Sequence, residues 1–244
     1  MKFSPSFRYL LRDQRNAILV YYAVLASMTL LPLLVTPFIS IGDGDAVSIN
    51  GTTAVTTGFA FILSLCAFKE SFLMNLQHGI SRRSQFLTWL AAMGTICVIM
   101  AVADEAYTFL FKMLYAAFPG NFQAVSLYGM TYANSDGYTM LPSIVFSFFL
   151  LLSVCSLGYL VTVFMYRLHK MGKIIFWAGA PTLFILVSSF ITAHPGLRAK
   201  ALTCIAEVSR LCYSTLPRMV LTCTLLTAFF SALAWLLMRR APVK

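Results

Sequence analysis

Charge is what this 244-residue sequence has least of: 11% of its residues are Asp, Glu, Lys or Arg, against 59% hydrophobic ones. A chain so poor in charge cannot solvate the surface of a water-soluble globule, which excludes the soluble fold classes. Histidine is scarcer still. His78, His169 and His194 stand far apart, and no Cys/His spacing fits a metal site. There is no Gly-x-Ser-x-Gly, no His-Glu-x-x-His and no paired-glutamate helix, so no catalytic residue and no metal ligand is expected. A Gly-x-x-x-x-Gly-Lys-Ser/Thr phosphate loop is missing too, so the chain is not expected to hydrolyse ATP alone. Long polar stretches are also lacking. Residues 1–244 therefore read as a single transmembrane domain with no internal repeat.

What the chain does have is long uncharged runs, at 17–42, 46–68, 84–103, 137–166, 174–197 and 219–238. About 20 apolar residues at 1.5 Å rise cross a ~30 Å hydrocarbon core, and each run is long enough. Threading the connections alternately puts thirteen basic residues on one side, Arg8, Arg12, Arg15, Lys69, Arg82, Arg83, Arg167, Lys170, Lys173, Arg239 and Arg240 among them, against only Asp13 and Glu70. The other side carries Lys112, Arg198, Lys200, Arg210 and Arg218 against Asp43, Asp45, Asp104, Glu105, Asp136 and Glu207. Positive loops stay cytoplasmic, so the expectation is an all-α, polytopic, multi-pass membrane protein of six transmembrane helices with both termini inside. The pI near 9.5 is then a matter of topology and anionic headgroups. The basic residues are not interleaved with aromatics in a soluble segment, so nucleic acid is not an expected partner.

No small-x-small cleavage pattern precedes the first aspartates of the outer side, so the first helix is expected to be retained. Four cysteines, Cys66, Cys97, Cys155 and Cys223, fall inside the runs, where the thiol behaves as a small apolar group. Cys204 and Cys212 lie outside them, and on one helix they are ~12 Å apart, too far for a disulfide.

Between and before the runs lie segments with helical periodicity of their own. In 1–16, Phe3, Phe7, Leu10 and Leu11 share one face while Arg8, Arg12 and Arg15 share another, with Ser4 and Pro5 suited to start a helix. This predicts an amphipathic helix in the cytoplasmic interface, serving either as an anchor or as a surface for a cytoplasmic partner. In the first run, Pro32 and Pro37 predict a kink or an early end.

The segment 69–83 is longer than a chain reversal needs. Phe72, Leu73, Leu76 and Ile80 form an apolar stripe. Gly79 can end the helix in a left-handed conformation, and Ser81 can cap the next one. The prediction is a short cytoplasmic helix, either a docking surface or an interfacial turn.

At the outer side, Thr52, Thr53, Thr56 and Thr57 either bond back to their own helix or line a wet vestibule. Asp104 and Glu105 follow the third run, with no proline or glycine between 95 and 118, so that helix can continue past the membrane. The two acids are either a solvated pair or an acidic point facing a cavity. Residues 195–216, with Leu197, Ala201, Ile205, Val208 and Cys212 on one stripe, read as an outer amphipathic helix, after which Pro217 starts the last span.

Phe68 and Glu70, followed by Gln77-His78-Gly79-Ile80-Ser81-Arg82-Arg83-Ser84-Gln85-Phe86, complete a constellation with the N-terminal amphipathic helix and the six-span layout. It resembles the membrane-spanning subunits of ABC-2-type ATP-binding-cassette transporters, especially the small permeases of Gram-positive bacteria. The resemblance covers the whole chain in layout and about twenty residues in detail.

It implies a permease in the bacterial cell membrane, paired with a second permease, identical or homologous. Each would be bound to a separate ATPase chain through a coupling helix at 69–80. ATP and Mg would sit on that partner, and no cofactor on this chain. Carried onto this sequence, the ATPase contacts would be Glu70, Phe72, Leu73, Asn75, Leu76, Gln77 and His78, with Arg82 and Arg83 as further contacts or anchors. The alternative expectation is a stand-alone membrane carrier, or an immunity or sensor protein without an ATPase.

Overall fold

In the computed structural model, the described residues are 3–35, 47–50, 52–77, 79–116, 122–125, 127–132 and 140–239. Their order is α1 (Phe3–Val35), β1 (Val47–Asn50), α2 (Thr52–Gln77), α3 (Arg82–Ala116), β2 (Phe122–Val125), α4 (Leu127–Thr131), α5 (Met140–Arg167), α6 (Lys170–Ala193), α7 (Pro195–Tyr213) and α8 (Leu216–Arg239). Among the described residues, four helices are long and apolar enough to cross a membrane: Arg82–Leu114, Met140–Arg167, Met171–Phe190 and Leu216–Arg239. The chain thus has the character of a multi-pass helical membrane protein.

α5 is the hub. It packs on α8, α2 and α3, and it can do so because it is apolar on all sides and carries small residues where neighbours approach. Ser143, Ser147, Ser153, Ser156 and Gly158 are all buried along it. At Gly158 the approach is closest: a Cβ there would lie 3.0 Å from the Phe61 carbonyl oxygen of α2. Two side chains bond across the same seam, Ser64 donating to the Cys155 carbonyl at 2.6 Å and Thr162 to that of Leu65 at 3.1 Å. α8 docks on α5 through Met219, Cys223, Ala234 and Met238, leaving Leu221, Leu225, Phe229 and Leu236 facing outward.

The core is built in two parts. One gathers Phe68, Phe72, Trp89, Tyr159 and Val163, with Trp89 stacked on Tyr159 at 3.7 Å between ring centroids. The other, toward the start of α5 and α8, joins Phe146, Met219 and Cys223. α6 stands apart, with α7 as its main contact, and Ile174, Trp177, Leu183, Leu186 and Phe190 are exposed. In water such a helix would be untenable; in a bilayer it faces hydrocarbon, and Pro181 is tolerated within it.

The chain is helical, as expected from its sequence, with one short addition: β1 and β2 form a parallel two-stranded sheet with Val47 opposite Phe122 and Asn50 opposite Val125. Residues 47–50 had been counted into the second apolar run, whose helix begins only at Thr52. Two other sequence expectations are corrected.

The N-terminal amphipathic segment is not a separate element, because α1 runs unbroken from residue 3 to residue 35. Nothing between Pro5 and Pro32 breaks it, and Ser6, Leu10, Gln14, Leu25 and Thr29 are buried along one continuous seam against the bundle. Arg8, Arg12 and Arg15 are exposed, Phe7 is half-buried, and the Phe3 side chain lies outside the described residues. Pro32 sits inside α1, whereas Pro37 lies outside the described residues.

Nor is there a separate short helix after the second run, since 69–77 are the last turns of α2. The turn that follows matches expectation. Gly79 has φ 69°, the left-handed conformation that closes a helix, and the Ser81 hydroxyl accepts from the Ser84 N–H at 3.3 Å.

Candidate functional site

Asp104 and Glu105 are consecutive on a helix, so their side chains leave α3 about 100° apart. That angle splits the pair between two interfaces, and both are buried, at 1% and 3% exposure. They are not the solvated acidic pair that was one of the two sequence readings.

Asp104 faces α1 and α2. Its Oδ1 lies 2.9 Å from the Tyr22 hydroxyl and 2.9 Å from the Thr56 hydroxyl. The Tyr21 hydroxyl is in turn 2.7 Å from Thr56 Oγ1. A threonine has one proton to give. When Thr56 gives it to the carboxylate, Tyr21 must donate to Thr56, and the order becomes Tyr21 to Thr56 to Asp104. Glu105 faces α5, where the Ser143 hydroxyl donates to its Oε1. Further along, Tyr107 donates to the Leu25 carbonyl at 3.1 Å and bonds Thr29, tying α3 to α1 a second time.

The carboxylate of Asp104 is therefore lopsided. Both donors fall on Oδ1, and Oδ2 is buried with no hydrogen-bond partner among the described residues. Burying an ionised carboxylate is costly unless its lone pairs are satisfied. The open oxygen is the position at which a proton, an ammonium group or a desolvated cation adds most readily. Beside this network, between α1 and α2, lies a cavity of about 320 Å³ lined by Tyr21, Leu25, Met28, Thr29 and Thr52. Tyr21 stacks on Phe59 at 4.2 Å, which holds its hydroxyl at the inner edge of that cavity. Among the described residues no three His, Cys, Asp or Glu side chains gather as a metal centre.

Of the outer-side residues singled out from sequence, the structure joins Thr56 to Asp104. Thr53 is buried, while Thr52 and Thr57 are half-buried. Thr57 bonds back to the Thr53 carbonyl at 2.6 Å, the behaviour expected of a threonine satisfying itself on its own helix. Tyr21, Tyr22, Tyr107 and Ser143 were missed. No sharp signal in the sequence marks them: Tyr21 and Tyr22 lie near the start of the first apolar run, where tyrosines are ordinary.

At the other end of the bundle, Phe72 is fully buried, 5.0 Å from Phe68 and 5.4 Å from Tyr166 between ring centroids. It is a core residue of this chain rather than part of an exposed docking stripe. Gln77 and Arg83 are exposed, Arg82 is half-buried, the side chains of Glu70, Leu73, Asn75 and Leu76 lie outside the described residues, and so does His78. Arg82 donates to the Arg239 carbonyl at 2.8 Å and to that of Met238 at 3.2 Å. A guanidinium there satisfies the unpaired carbonyls of the α8 C-terminus and complements its dipole. On the outer stripe, Val208 is exposed and Cys212 half-buried, and Cys204 and Cys212 are both free thiols.

Searches with this sequence and fold match no family model, no curated protein and no solved structure.

Proposed function

We propose that this chain is the membrane-spanning permease subunit of an ATP-binding-cassette exporter in a bacterial cell membrane. It would work as a pair of permeases with a separate ATPase chain that holds the ATP and Mg. In this reading α1 and α2 complete a set of six spans, both termini are cytoplasmic, and the α2–α3 turn is the point at which the ATPase pushes.

The observation that carries the reading is the build of that turn. It is closed by the left-handed Gly79, capped by Ser81 and clamped by Arg82 to the end of α8. Exposed Gln77 and Arg83 flank it, and one turn inward Phe72 is wedged against Tyr166 of α5. A displacement of the turn is thus delivered to α3, α8 and α5 together, which is what a coupling point requires. Glu70, Leu73, Asn75, Leu76 and His78 remain the proposed contacts with the ATPase. Phe72 passes from contact to transmission.

The test is purification through a tag on this chain from its own host. An ATPase subunit should accompany it in comparable amount, and Leu73→Ala with Leu76→Ala should loosen that association. ATP turnover by the chain alone would overturn the proposal.

A second reading, a stand-alone carrier coupled to protons or cations, is favoured by the buried Asp104, since ionisable groups at membrane depth usually serve an ion path. Reconstituted vesicles separate the two. ATP-dependent transport that persists in Asp104→Asn supports the exporter; transport driven by an ion gradient alone and abolished by Asp104→Asn supports the carrier.

A further inference from the structure

A wide, open cavity of about 550 Å³, its α7 rim exposed, lies between α4, the first turns of α5 and the end of α7, at the pole of the bundle opposite Arg82 and Arg239. That is the size range of pockets that take small organic ligands. Its floor is apolar: Leu127, Phe146 and Leu150, backed by Met219 and Cys223 of the second core. Its rim is polar: Thr131, Tyr132, Ser209, Tyr213 and Ser214 surround Arg210. A second cation stands close by, since Arg218 donates to the Ser214 hydroxyl at 3.0 Å. Burial pushes the phenols of Tyr132 and Tyr213 further up from their ordinary value, at which a phenol is already a neutral donor. Glu207 precedes Arg210 by one turn of α7 and makes no ion pair with it among the described residues.

An apolar floor under a rim of donors and one guanidinium matches a particular chemistry. The floor excludes small hydrophilic anions as complete ligands, because they leave it bare. The guanidinium selects for net negative charge: a zwitterionic head brings its own ammonium toward Arg210 and Arg218, and an uncharged head offers no charge-assisted bond. We propose that this cavity binds an anionic amphiphile, its phosphodiester or carboxylate head on Arg210 and the first methylenes of its acyl chain over Phe146 and Leu150. The inference is independent of the ATPase: it needs only the bundle and its bilayer.

The test uses the full-length protein, delipidated in an uncharged maltoside detergent. Native mass spectrometry is used to titrate phosphatidylglycerol, phosphatidylcholine of the same acyl chains, and inorganic phosphate. Wild type should hold one phosphatidylglycerol about tenfold more tightly than phosphatidylcholine, the size expected of one charge-assisted contact. Arg210→Gln should erase that preference, and Arg198→Gln, an exposed cation elsewhere on α7, should leave it intact. Thermal unfolding confirms that both variants fold. Equal affinity for the two lipids, or equal effects of the two substitutions, would overturn the proposal. Binding of inorganic phosphate as tight as that of the lipid would overturn it as well, by showing that the apolar floor contributes nothing.

Discussion

At the scale of single residues, the Asp104 network ties three helices together with few atoms. Tyr22 reaches Asp104 from α1 and Thr56 reaches it from α2, both on Oδ1. Hydrogen bonds to a charged group contribute about 1.5–3 kcal/mol, and after loss of Tyr22 only Thr56 still donates to that oxygen. Tyr22→Phe should therefore lower the stability of the purified protein by about 1–3 kcal/mol, whereas Tyr21→Phe, one bond removed from the carboxylate, should cost less. Thermal unfolding in one detergent checks the order, and a double-mutant cycle of Tyr22→Phe with Asp104→Asn should show that the two losses do not add. Additive losses would mean that the two groups do not meet. Phe72 carries a similar lesson. Read from its stripe it was a contact for a partner, but its full burial between Phe68 and Tyr166 means that Phe72→Ala should destabilise the fold itself, by about 3–5 kcal/mol.

Among the elements, α5 decides how tightly the bundle closes, and the α2–α5 seam is where it closes most. Because a Cβ on Gly158 would meet a backbone oxygen at 3.0 Å and the Ser64 Cβ at 3.1 Å, the helices must separate to admit it. Gly158→Ala is expected to cost about 1–3 kcal/mol, the usual range for overpacking a well-filled core. Gly94 on α3 is the matched control, since a Cβ there would meet nothing within 4 Å. Gly94→Ala should be neutral or stabilising by up to about 1 kcal/mol, through the entropy that a helix-interior glycine wastes. Unfolding curves of the two variants side by side test the seam, and a reversed ranking would show that α2 and α5 sit further apart. The ends of the elements were open to sequence reading in a way that their faces were not. Gly79, Ser81 and the long uninterrupted α3 act through bonds spanning only a few residues, so local pattern sufficed.

For the whole molecule, the uneven distribution of Lys and Arg makes a claim about orientation that the bundle does not contradict. Arg82 at the start of α3 meets the end of α8, so these two helices run in opposite directions, as alternate threading demands. With Cys204 and Cys212 replaced by serine to remove background thiols, a cysteine at Asn134 should react with a membrane-impermeant reagent applied to intact cells. A cysteine at Gln77 should react only after the membrane is opened. The opposite pattern would invert the orientation and remove the cytoplasmic placement of the α2–α3 turn.

The existence of the helices and the membrane character of the chain were legible in the sequence, because each depends on the chain's own residues in order: runs of apolar side chains, caps, and charges that a bilayer will not admit. The short sheet escaped, since a four-residue strand is too short to show a period of its own, and β1, at the start of an apolar run, finds its partner only in the connection at Phe122–Val125. Which side of each helix turns inward was decided by the tertiary structure alone. In a soluble protein the polar face marks the outside, but here the outside is hydrocarbon, and α6 is as apolar where it is bare as α5 is where it is buried. Without that contrast, no pattern in the chain could place Tyr22 against Asp104, turn Phe72 into the core, or separate Glu105 from its neighbour into another interface.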